Sequence, residues 1–139
     1  MNWIVYAILS AVAAALVAIF GKIGISKVDS TLATSVRAVV MAAFLLLVAA
    51  SLGKFKLLHT IDRSALTYII LSGVAGAISW LFYFFALRHG PTSGVAALDR
   101  LSVVFVFILA LLFLKEHYHW WTVVGAGLLT TGAILMSLR

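Results

Sequence analysis

The chain has 139 residues, 65% of them hydrophobic and 10% charged, with a formal charge of +6, no cysteine and a mean hydropathy of +1.21. A soluble domain carries about 25% charged residues, so this chain lacks the polar side chains to cover a water-facing surface, and without cysteine it makes no disulfide or thiolate metal site. Its positive charge does not indicate nucleic acid, because the bases are scattered over loop ends with no basic face or aromatic-interleaved patch.

Apolar runs of about 18 or more residues read as membrane helices. Five are predicted, over residues 3–20, 32–52, 66–87, 92–114 and 120–138. They and their short connections use up residues 1–139 as one all-α integral membrane domain. The first, WIVYAILSAVAAALVAIF, is alanine-rich, with Ser10 and Ala14 four apart. Its AVA at 11–13 looks like a cleavage site, but no Lys or Arg precedes it and the run is too long for a signal peptide. The second carries Arg37. The longest connection follows, about 53–64. The third has small residues at four-residue spacing (Ser72/Gly76 and Gly73/Ala77), then Trp80 and Tyr83. HGPTSG, residues 89–94, is a tight connector with Pro91 near the helix start. The fourth run contains Asp99, Arg100 and Ser102. The fifth contains Gly125, Gly127, Thr131 and Gly132, small residues that let helices approach closely in lipid. Packing is the first expectation for all of these, and for the fifth helix packing across a dimer. The histidines, His59, His89, His117 and His119, lie in or near loops without metal-ligand spacing. No metal, cofactor or enzymatic nucleophile–base arrangement is expected.

Five spans put the termini on opposite sides of the membrane. Orientation follows the Lys and Arg of short loops. Lys54, Lys56, Arg63 and Lys115 fall on the N-terminal side; Lys22, Lys27, Arg88 and Arg139 fall on the other. The balance predicts insertion both ways and an antiparallel homodimer. One orientation fixed by other signals is the plainer reading. At 1.5 Å per residue, Arg37 lies about 8 Å deep, Asp99 about 11 Å, Arg100 about 12 Å, Trp80 about 10 Å and Tyr83 about 6 Å, all from one side. A charge at that depth costs roughly 2.5–3.5 kcal/mol or more. Asp99 and Arg100 point about 100° apart and need separate partners. Arg37 is the expected partner of Asp99, either as a register-fixing ion pair or as part of a substrate or proton path. Arg100 is then an excess cation that snorkels, meets the second subunit or holds an anionic group. Arg37, Asp99, Arg100, Trp80, Tyr83 and Ser102 are the pathway candidates.

The segment FYFFALRHGPTSGVAALDRLSVVFVFILALLFLKE, residues 82–116, resembles the drug/metabolite transporter superfamily, and most of all its single five-helix EamA-type units from bacteria and archaea. GKIGISKVDSTLATSVRAVV and VVGAGLLTTGAILM extend the resemblance over nearly the whole chain. It implies a prokaryotic inner-membrane carrier of small organic molecules built from two inverted five-helix units, with lipid and a second copy as partners. The branch pattern more often has Lys after the Asp; Arg100 keeps the charge and favours bidentate pairing. The four-helix multidrug relatives use a glutamate in helix 1, and helix 1 here has no acid. Asp99 is thus the expected proton site, with Glu116 at the wet end of helix 4. The alternative is a non-transporting lipid-handling or partner-stabilising subunit whose charges only lock helix register. A heteromeric partner of fixed opposite orientation is a narrower variant of transport.

Overall fold

A computed structural model describes residues 3–114 and 119–138. Among them every regular element is helical: α1 (Trp3–Gly24), α2 (Ser30–Ser51), a 3₁₀ helix (Lys54–Thr60), α3 (Arg63–His89), α4 (Thr92–Asp99), α5 (Ser102–Leu109), a π-helical turn (Ala110–Leu114) and α6 (Trp120–Ser137). Five stretches are long and apolar enough to cross a membrane: α1, α2, α3, Thr92–Leu114 and α6. Lys115, Glu116, His117 and Arg139, used above to read orientation, the wet end of helix 4 and metal-ligand spacing, lie outside the described residues.

The spans carry very few buried side chains. Phe44, Phe82 and Leu128 are 64%, 71% and 71% exposed. In lipid such faces carry no hydrophobic penalty, so helices there pack through small residues and internal polar contacts. Hydroxyls on the spans bond back to their own helix: Thr34 Oγ1 donates to the Ser30 carbonyl at 2.7 Å, and Thr131 Oγ1 to the Gly127 carbonyl at 2.9 Å. That satisfies the hydroxyl where no water is present.

The chain divides into two compact units, residues 21–88 and residues 1–20 with 89–139. In the first, α2 starts where Asp29 accepts the N–H groups of Thr31 and Leu32, at 2.9 and 3.1 Å. This is an acidic N-cap, satisfying donors that the helix itself leaves open. Asp62 accepts the Ala65 N–H in the same way at the start of α3. Gly53, with φ of 63°, takes the left-handed turn after α2, a conformation glycine adopts without steric cost. The predicted 53–64 connection is therefore ordered, as a 3₁₀ helix. The buried residues of this unit include Ile25, Ser30, Thr34, Phe84 and Leu87. A methyl group on Gly21 would lie 2.7 Å from Phe84 Cε1, so the end of α1 meets α3 through a glycine.

In the second unit α4 packs against α6 through Gly94. A methyl group there would come within 3.2 Å of Pro91 Cγ and 3.4 Å of the Met136 carbonyl oxygen. By contrast Gly125, Gly127 and Gly132 of α6, like Gly73 and Gly76 of α3, would place a methyl group in open space within this chain. Within the chain these five glycines make no packing contact; for the fifth span the expectation is packing across a dimer.

Several elements differ from the sequence reading. Helix α1 runs on to Gly24, α3 is longer at both ends, and the fourth span is not one continuous α-helix.

Candidate functional site

Arg37 lies on α2 seven residues after Ser30, about 10 Å along the helix. Its guanidinium carbon sits 3.6 Å from the centroid of the Trp80 ring and 5.2 Å from that of Phe84. Trp80, Tyr83 and Phe84 share one face of α3 by their i, i+3, i+4 spacing. Trp80 meets Tyr83 edge-on at 5.6 Å and Phe84 at 5.9 Å. Phe84 is 2% exposed, so the aromatic cluster is anchored at its base. The stack gives Arg37 about 1–2 kcal/mol, against a cost of roughly 2.5–3.5 kcal/mol or more for a charge in the membrane. Stacking alone leaves a deficit that a negative partner would close.

Arg37 also lines a groove of about 460 Å³ between α2 and α3, with Thr34, Ser35, Gly73, Gly76 and Trp80 among its walls. Most of the lining is apolar, and Arg37 is its one charged residue among the described residues. The Ser35 hydroxyl, like that of Thr34, donates to a carbonyl of α2, at 2.9 Å. The two acids of this unit are engaged at helix starts: Asp62 caps α3, and Asp29 caps α2 and sits 3.6 Å from Arg88. Lys22 Nζ donates to the Leu87 carbonyl near the end of α3. The Leu32 N–H, then the Thr31 N–H and Arg88, hold the Asp29 carboxyl below its usual value. Sequence reading did not single out Asp29. Its signal was present in VDSTLA, an acid followed by hydroxyls just before an apolar run.

Asp99, Arg100 and Ser102 stand together in the other unit, at an interruption of the fourth span. Arg100 has φ −67° and ψ −12°, and Leu101 φ −61° and ψ −19°. The N–H of Arg100 bonds the Ala97 carbonyl at 3.1 Å, Leu101 that of Leu98 at 2.9 Å, Val103 that of Arg100 at 3.0 Å and Val104 that of Leu101 at 2.9 Å. These are i→i−3 bonds, the 3₁₀ pattern that marks hinges when it appears inside a helix. Asp99 is half-buried; Arg100 and Ser102 are exposed. Each charge has a favourable helix end within a turn. Arg100 follows the C-terminus of α4 and Asp99 precedes the N-terminus of α5, interactions of about 0.3–1 kcal/mol each. The structure thus brings Arg37, Trp80 and Tyr83 together in one unit and Asp99, Arg100 and Ser102 in the other.

The model of the EamA-like transporter family matches residues 1–138. An uncharacterised transporter of the cobO 3′ region in a Sinorhizobium species is 36% identical over 137 residues, covering 99% of this chain and 97% of that protein. An uncharacterised protein of Methanocaldococcus jannaschii is 34% identical over 85 residues, covering 61% of this chain and 62% of that protein. No solved structure matches.

Proposed function

The chain belongs to the EamA-like transporter family, and on that premise we propose that it is a secondary transporter moving small organic metabolites across the cytoplasmic membrane of a prokaryote by alternating access. The observation that carries the reading is the interruption of the fourth span at Asp99 and Arg100. Transporter sites are built at broken helices, where side chains and freed backbone groups meet the solute or coupling ion. Asp99 is the acid placed deep in a span, and it is the residue we assign to proton coupling.

Two antiparallel copies supply the inverted halves that such a machine needs. Two features support this assembly. The Lys and Arg of the loops are balanced between the two sides. The glycine face of α6 is open within one chain, as a surface kept for a second chain would be.

The test is flux into proteoliposomes under an imposed pH gradient, across a panel of labelled organic acids, amines and neutral solutes. Asp99→Asn should abolish pH-driven uptake while solute exchange survives. Equal loss of both would make Asp99 structural. Uptake of none of the panel by the folded wild type would retire transport and favour a subunit whose charges lock helix register.

A further inference from the structure

We propose that Arg37 and the aromatic face of α3 form a carboxylate-binding site, and that its ligands are monocarboxylates with a flat or apolar body. What the site is for rests on the transporter reading; its existence rests on geometry alone. Stacked on Trp80 at 3.6 Å, the guanidinium has one face covered, and stacking of a face does not use the N–H edge. That edge is a planar fork of donors, matched by the two oxygens of a carboxylate. Nothing else lining the groove carries charge, and the acids of the same unit are engaged as helix caps.

The sign and number of charges narrow the ligand class. One cation in a mostly apolar groove balances one negative charge. A dianion would keep an uncompensated charge away from water, and a cation would be repelled. Beyond the guanidinium the walls are Ala38, Met41, Gly73 and Ala77, with Trp80 as a flat platform. A methyl group on Gly73 or Gly76 would meet nothing within 4 Å, so the apolar end has room for a ring. A volume of about 460 Å³ is within the usual range for small-molecule sites. In the sequence Arg100 is the excess cation, with holding an anionic group as one role beside snorkelling and meeting a second subunit. In the proposed site the anion-holding role falls to Arg37, because Arg100 is exposed and follows the carbonyl end of α4.

The test is equilibrium binding to the full chain in lipid nanodiscs, read by fluorescence after Trp3, Trp120 and Trp121 are changed to Phe so that Trp80 alone reports. The probes are 3-phenylpropionate, 3-phenylpropanol and 3-phenylpropylamine, which share a body and differ in charge. The acid should bind at least about tenfold more tightly than the alcohol, as expected for a charge-assisted hydrogen bond. Arg37→Gln should erase that preference and Arg37→Lys should keep part of it. The comparison of acid and alcohol on unsubstituted Arg37 stands even where a variant fails to fold. An alcohol or amine bound as tightly as the acid overturns the site. So does the absence of saturable binding by any probe, as expected for a groove filled by a second copy. Counterflow uptake of labelled 3-phenylpropionate separates the two ideas. Binding of 3-phenylpropionate with no uptake of it or of any solute of the panel supports the site and retires transport. Uptake of other solutes with no carboxylate preference in binding overturns the site alone.

Discussion

Replacing Gly21 by Ala tests whether the junction between the end of α1 and α3 is as tight as the structure shows. The added methyl would lie 2.7 Å from Phe84 Cε1 and 3.1 Å from Cζ, with Leu87 Cδ1 at 3.7 Å. Phe84 has little freedom to yield. It is 2% exposed and stacks on Trp80 and Tyr83 at 5.9 Å each. Overpacking of this kind costs about 1–3 kcal/mol, while Ala gains about 1 kcal/mol over Gly in a helix. Gly24→Ala is the control, since a methyl there meets nothing within 4 Å. The helix gain is similar for both, so their difference isolates the clash. Gly21→Ala should be less stable than Gly24→Ala by about 1–3 kcal/mol, read by SDS-induced unfolding from detergent micelles. Its Trp80 emission should also shift, because Phe84 moves against that ring. Equal stability of the two variants would show that Phe84 rotates freely and that the aromatic cluster is not anchored from below.

The stack of Arg37 on Trp80 should appear as a coupling of about 1–2 kcal/mol in a double-mutant cycle of Arg37→Gln and Trp80→Leu; additive losses would mean that the contact contributes nothing. Gly125→Leu fills space that is open within the chain, so it should leave helicity intact and dissociate the proposed dimer in detergent, seen by size-exclusion chromatography with light scattering. A dimer that survives it argues against α6 as the interface. The Asp29 carboxyl is held below its usual value, foremost by the Leu32 N–H. It therefore contributes stability that is present above the unfolded value near 3.8 and is lost as pH falls through the lower folded value. Asp29→Ala should remove that part of the acid dependence, checked by thermal unfolding of both proteins between pH 6 and the acid limit, about 3.

The axial coordinate was legible in the sequence and the azimuthal one was not. A membrane sets span length and a helix rises about 1.5 Å per residue, so the five apolar runs by themselves place Arg37, Trp80 and Tyr83 at comparable depths. In the structure Arg37 does meet Trp80. Which side chain a residue meets at its depth depends on rotation about the helix axis, set by packing. Charge alone pairs Arg37 with Asp99. Within its own unit Arg37 meets an aromatic face, assembled by residues 80, 83 and 84 at i, i+3 and i+4. The break in the fourth span left no usual mark, because ALDRLS contains neither Pro nor Gly. Its only local hint is the Asp itself, a residue whose side chain competes with helical backbone bonds. Gly94 and Gly125 show the same limit: both are glycines on apolar helices, yet one is filled by α6 and the other faces open space. Depth therefore selects the candidate residues, and the rotation of α2 against α3 decides that Arg37, and not Arg100, has an aromatic platform on which to hold a ligand.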